Sequence, residues 1–152
     1  MKHLTNIGLL AVFTLMSVLN LANAGDEISA SDERRLKEAV WTASQQWTTA
    51  FNNGKAEDAA ALYEESAVMV AKPFGTFKGR DNIELFWRDL IAKGFAEVVY
   101  IDPVLTVISA TEAKISSYWR MNSAKGIITN EYWVLQPDGT AKLREDHFEV
   151  QP

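Results

Sequence analysis

The chain has 152 residues, with 15 Lys/Arg against 20 Asp/Glu, a formal charge of −5 and no cysteine. That length suits one domain burying about two-thirds of its unfolded surface, and the lack of cysteine excludes disulfide staples and a lipidated Cys anchor. An acidic balance without a Lys/Arg-rich run argues against a nucleic-acid partner, whose phosphates need a positive face.

Lys2 and His3 form a short positive start, an apolar stretch covers residues 7–21, and Ala22-Asn23-Ala24 follows as a small-x-small cleavage pattern. This predicts a signal peptide over residues 1–24 and a mature chain of 25–152, periplasmic or secreted. Thr14, Ser17 and Asn20 interrupt the stretch, which falls short of the roughly 20 largely apolar residues that span a bilayer. No membrane attachment is therefore expected after cleavage. Removing the segment takes one Lys and no acid, so the formal charge moves from −5 to −6.

Ser29 and Ser31 offer N-caps before Asp32 and Glu33, whose charges favour a helix start. Leu36, Val40, Ala43, Trp47 and Phe51 then recur at steps of three or four, one apolar stripe ending near Asn53, with Gly54 suited to the left-handed position beyond the helix. A shorter helix is expected over residues 56–64, carrying Ala59, Leu62 and Tyr63. Residues 67–71 read as a short buried strand, closed by the turn Lys72-Pro73-Phe74-Gly75 and followed by a loop bearing Phe77 and Gly79. Asp81 with Glu84 fits a capping box, and Ile83, Phe86, Trp87, Leu90 and Ile91 draw the inner stripe of a third helix that stops at Gly94.

Beyond Phe95 the period becomes two, over 95–109, 113–123, 127–136 and 140–150. The connections are short enough for an antiparallel meander, and Pro103 marks either an edge or a bulge. Helices first and a curved antiparallel sheet afterwards is an α+β order, with the helices on one sheet face.

Several segments together resemble a known family: Trp47 to Phe51 with Asn52-Asn53-Gly54, Ala60-Ala61-Leu62-Tyr63-Glu64-Glu65-Ser66-Ala67-Val68, Gly79-Arg80-Asp81-Asn82-Ile83 and Phe86-Trp87. These resemble the nuclear-transport-factor-like superfamily, which includes ketosteroid isomerase, SnoaL-like cyclases and scytalone dehydratase. Glu131-Tyr132-Trp133-Val134-Leu135 before Pro137-Asp138-Gly139, then Lys142-Leu143 and Asp146-His147-Phe148, look like its SnoaL-like branch, which also contains a kinase association domain. The likeness covers about residues 33–150. It implies a single SnoaL-like domain over 25–152: a cone-shaped roll, its sheet wrapped around three N-terminal helices, with a pocket between the first helix and the inner sheet face, often in a homodimer. Such a fold hosts enzymes, binders and assembly modules alike.

Candidate chemistry gathers near the end of the chain. Glu131, Trp133 and Leu135 share one strand face, and Ile115, Ser117, Trp119 and Met121 another; both are expected to point inward. A carboxylate among aromatics is desolvated, which raises its pKa and makes it an acid or a hydrogen-bond donor. Glu131 is that candidate, with a solvated position or pairing to Arg120 or Arg144 as the competing reading. His147, the one histidine after residue 24, and Asp146 complete the acid/base set, although a lone strand histidine is also an ordinary structural residue. Simple alternation from Leu143 puts Glu145 and His147 inside, whereas Phe148 and Val150 call for the opposite parity, which a bulge would supply. Trp47, Tyr63, Trp119, Met121 and Trp133 are the candidate ligand-binding residues, for Trp47, Tyr63 and Trp133 with core packing as the alternative.

Comparison with ketosteroid isomerase is instructive. The resemblance places Trp47 where that enzyme needs an oxyanion-binding Tyr, Ala71 or Lys72 where it needs a general-base Asp, and Glu131 near its protonated Asp. Losing the base argues against that isomerisation. No nucleophile elbow, phosphate loop or Cys/His metal set occurs, so no cofactor and no metal are expected. The resulting expectation is an exported binder of a small apolar or aromatic ligand. The alternatives are an isomerase, dehydratase or cyclase using Glu131 or His147, and a dimeric assembly module.

Overall fold

The computed structural model describes residues 27–152. The proposed export segment and its cleavage site lie outside the described residues. The elements run α1 (Ala30–Asn52), α2 (Ala56–Ala60), β1 (Tyr63–Lys72), β2 (Gly75–Lys78), α3 (Arg80–Ala92), β3 (Val99–Val107), β4 (Glu112–Arg120), β5 (Lys125–Leu135) and β6 (Ala141–Gln151). Among the described residues no helix is long and apolar enough to cross a membrane.

The first helix follows its sequence signals. Ser29 Oγ accepts from the Asp32 backbone N–H at 3.1 Å, satisfying one donor that a helix start leaves free. Leu36, Val40, Ala43, Trp47 and Phe51 are buried, and Gly54 at φ 72 turns the chain away, its N–H donating to Phe51 O at 2.9 Å.

Three local expectations change. The second helix ends at Ala60 and Tyr63 opens β1, because the Leu143 N–H bonds Leu62 O at 2.8 Å and draws the chain into a parallel ladder with β6. Tertiary pairing here outweighs the helix propensity of Glu64, Glu65 and Ala67. Phe77 lies on the short edge strand β2, paired antiparallel with β1, rather than in a loop. The third helix starts one residue after Gly79, at φ 83, with no side-chain cap, so the Asp81–Glu84 capping box does not form.

The sheet order is β2-β1-β6-β5-β4-β3. Strands β3 to β6 form the antiparallel meander, and β1 against β6 is the parallel pair that makes the sheet mixed. Register shifts at Tyr63/Val68, Ile101/Val104, Ile115/Ser117, Ile128/Asn130 and Tyr132/Trp133 mark bulges, which bend and twist a sheet. Pro103 sits both on an edge strand and in a bulge, next to Asp102 at φ 51. The helices cover the inner face, where Phe51, Tyr63, Met69, Ile115, Trp133 and Leu143 form the core.

Candidate functional site

Two acids meet in the core. Glu131 on β5 and Asp146 on β6 are register partners on adjacent antiparallel strands, exposed by only 2% and 4%. Directly opposed residues stand with Cβ atoms about 5 Å apart. Asp146 reaches this face through a bulge: Trp133 pairs with Leu143 but Tyr132 with Glu145, leaving Arg144 as an extra residue. One extra residue exchanges the faces of everything beyond it. Asp146 and Phe148 therefore turn inward, while Glu145 and His147 turn outward.

The expected acid/base set is split by that bulge. His147 is half-exposed on the other face, with Nε2 3.7 Å from Glu145 Oε2, and does not join Glu131 and Asp146. The alternative pairing of Glu131 with Arg120 or Arg144 does not form either: Arg144 bonds Glu64 and Glu112 instead.

Each acid is held by aromatic donors. Tyr63 OH donates to Asp146 Oδ2 at 2.7 Å, and Trp87 Nε1 donates to Tyr63 OH at 3.2 Å. Tyr100 OH donates to Glu131 Oε1, and Trp133 Nε1 donates to Oε2 at 3.1 Å. Burial, reinforced by the Asp146 charge, pushes the Glu131 pKa from 4.5 up to about 8, against the pull of the Tyr100 and Trp133 hydrogen bonds. Burial raises Asp146 from 3.8 to about 6, with the Tyr63 bond opposing. Burial and then the acids hold Tyr63 and Tyr100 well above their ordinary value, so both phenols keep their protons as donors. Burial, with the neighbouring Asp146 charge, thus favours the protonated form of Glu131.

Above the acids lies a hollow of about 20 Å³, lined by Trp47, Trp87, Val98, Tyr100, Trp119, Met121, Ile128, Glu131, Asp146 and Phe148. That is room for about one water molecule, much less than the pocket expected from the aromatic count. Packing explains the difference: Trp47 stacks on Phe51 at 5.5 Å, meets Trp87 edge-on at 5.1 Å, and Trp87 stacks on Phe148 at 5.7 Å. A groove of about 570 Å³ lies elsewhere, between α1 and the β5–β6 turn, among Arg35, Glu38, Gln46, Asp138 and Lys142. It is open to solvent and reaches neither acid, so the smaller hollow is where the desolvated chemistry sits.

Of the nominated ligand residues, Trp47, Trp119 and Met121 line the hollow. Tyr63 and Trp133 stand behind it as fully buried donors that fix the carboxyls. Tyr100 and Phe148 were not nominated; the period-two alternation Val98, Tyr100 was their local signal for β3, and the Arg144 bulge hid the one for Phe148. Removing the Tyr63 hydroxyl tests the support. Tyr63→Phe leaves Asp146 Oδ2 and Trp87 Nε1 without their partner, and is expected to cost about 1–3 kcal/mol in urea unfolding.

Among the described residues no group of three or more His, Asp or Glu side chains is arranged to hold a metal ion. No family model matches the chain, and no curated protein matches it. Solved structures do. A scytalone dehydratase-like protein from Novosphingobium aromaticivorans superposes with a TM-score of 0.69 at 16% identity, covering 82% of this chain and 89% of that one. A ketosteroid isomerase-like protein from Erwinia carotovora atroseptica gives 0.66 at 14%, covering 76% and 96%. A protein of unknown function with a cystatin-like fold from Nostoc punctiforme gives 0.68 at 14%, covering 83% and 96%. With its α+β order, its bulged six-stranded sheet and its helices on the inner face, the chain shares the cone-shaped fold of these solved structures.

Proposed function

We propose that the chain is a small-molecule-binding domain whose guest enters the aromatic hollow and contacts the Glu131–Asp146 pair. The observation that carries this reading is the pair itself: two carboxyls facing each other in the core, each fixed by aromatic hydrogen bonds. Burying acids costs free energy that an apolar pair would not, and such groups concentrate where ligands are handled. The guest is small and apolar or aromatic, in keeping with the walls. Its entry requires the rim to open, and Met121, flexible and only partly buried beyond the end of β4, is suited to yield.

Tryptophan fluorescence against a panel of aromatic and terpenoid compounds tests the reading. Saturable quenching by at least one class is expected; flat titrations throughout would overturn it. Proton transfer is a second reading, favoured by one observation: the two carboxyls are register partners buried together in the core, where burial raises the pKa of both and the Asp146 charge raises Glu131 further, so that one can hold a proton while the other accepts one. Glu131→Gln would then leave guest binding in place and abolish turnover. Dehydratase-like and isomerase-like proteins share the fold, which makes this chemistry reasonable without assigning it.

Export to the periplasm or medium belongs to the same proposal, motivated by residues 1–24. So does a homodimer, motivated by the apolar outer sheet face around Val99, Ile101, Val104 and Tyr118, the last 61% exposed. Light scattering of the purified chain should return twice the chain mass; a single-chain mass would count against it.

A further inference from the structure

The oxygens of the acid pair are unequally used. Glu131 has both engaged, Oε1 by Tyr100 OH and Oε2 by Trp133 Nε1. Asp146 has Oδ2 engaged by Tyr63 OH, and among the described residues nothing donates to its Oδ1. Nor is Oδ1 sealed: the unpartnered side-chain atoms shut off from solvent are Trp47 Nε1, Trp119 Nε1 and Asn130 Oδ1. Oδ1 therefore borders open space, and the open space that Asp146 lines is the hollow. A guest there meets one carboxylate oxygen with its lone pairs unspent.

Charge is unbalanced in the same place. Two carboxyls are buried there, yet among the described residues no Lys, Arg or His lines the hollow or acts on either acid. Arg144 bonds Glu64 and Glu112 instead, and Arg120 is exposed. A buried carboxylate without a countercharge is costly. The phenols and indoles bonded to the pair bring dipoles and no charge, so a cation is what the site lacks.

Resting on the small-molecule reading above, we infer that the guest is a primary amine with an apolar or aromatic body, its ammonium head seated in the hollow and donating to Asp146 Oδ1. The size fits, since about 20 Å³ admits one water-sized group and an ammonium head is of that size. The walls are aromatic, from Trp47, Trp87, Tyr100, Trp119 and Phe148, surroundings in which ammonium groups are commonly held. A hydroxyl would fill the space and donate, but would leave the carboxylate charge unmatched. A carboxylate or phosphate would add a second negative charge and bring no countercharge.

Calorimetric titration at pH 7 with three ligands built on one ring tests this. Benzylamine keeps its ammonium proton there, benzyl alcohol is a neutral donor of like size, and benzyltrimethylammonium is a cation with no N–H and a head much larger than a water. Benzylamine should bind about tenfold or more tighter than either, since a charge-assisted hydrogen bond is about twice as strong as a neutral one. Asp146→Asn should bring the ratio of benzylamine to benzyl alcohol affinity to about one. Benzyl alcohol binding as tightly as benzylamine overturns the ammonium seat and leaves the small-molecule reading standing. Benzyltrimethylammonium matching benzylamine reduces the effect to attraction by an acidic chain and overturns the seat as well, as does an unchanged ratio in Asp146→Asn. If that variant fails to fold, the ratios in the parent protein decide by themselves. Should none of the three bind, the seat falls, and the fluorescence panel then decides the small-molecule reading.

Discussion

Glu131→Gln is expected to make the fold about 2–3 kcal/mol more stable than the parent at pH 8, and no more stable at pH 4. The sign follows from linkage. Glu131 ionises near 4.5 when unfolded and near 8 when folded, so between those values the folded state holds the extra proton and stability falls as pH rises. Each unit of displacement is worth about 1.4 kcal/mol, and Asp146 adds a shorter window from 3.8 to about 6. The pair's favourable contribution is therefore complete below about pH 4 and gone once pH passes about 8. Gln cannot ionise, but its NH2 cannot accept from both Tyr100 and Trp133 as two carboxyl oxygens do, which offsets part of the gain. Urea unfolding of both proteins across pH 4–8 checks it; parallel curves would show that Glu131 is not desolvated in the folded chain.

Gly126→Ala is expected to cost about 3 kcal/mol or more, or to prevent folding. Gly126 faces Trp119 across the β4–β5 ladder, and a Cβ there would sit 2.1 Å from Glu149 O and 2.5 Å from Trp119 Cζ2. The first is backbone and the second is a ring wedged between β5 and Phe148, so neither yields cheaply. The bare backbone at 126 is what lets the Trp119 indole lie across β5 and close the hollow. Near-UV circular dichroism during thermal unfolding reads the effect, and parental stability in the variant would mean that Trp119 packs elsewhere.

How far the sequence could be read depended on whether each feature was local. The α1 stripe, its Ser29 cap and its Gly54 exit all lie within one helix and were legible, as were the turns separating β3 to β6. Glu131 stood out because Trp133 and Leu135 share its face. What escaped was non-local. Tyr63 looks helical among alanines and glutamates until β6, some eighty residues later, supplies Leu143 as its neighbour and Asp146 as its acceptor. The inward residue of β6 could not be chosen from alternation alone, because apolar Leu143 and Phe148 imply opposite parities; Arg144, the bulged residue, reconciles them and moves His147 outside. Nor does an aromatic count say whether rings frame a pocket or fill it, since that is settled by the stacking of Trp47, Trp87 and Phe148.

Carbon-13 NMR of the Glu131 side-chain carboxyl, followed across pH, bears most directly on the buried acid pair as the heart of the site. The structure predicts a carboxyl still protonated at pH 7 that titrates near 8, with Asp146 ionising first, near 6. A Glu131 carboxyl that titrates near 4.5, independently of Asp146, would contradict the account.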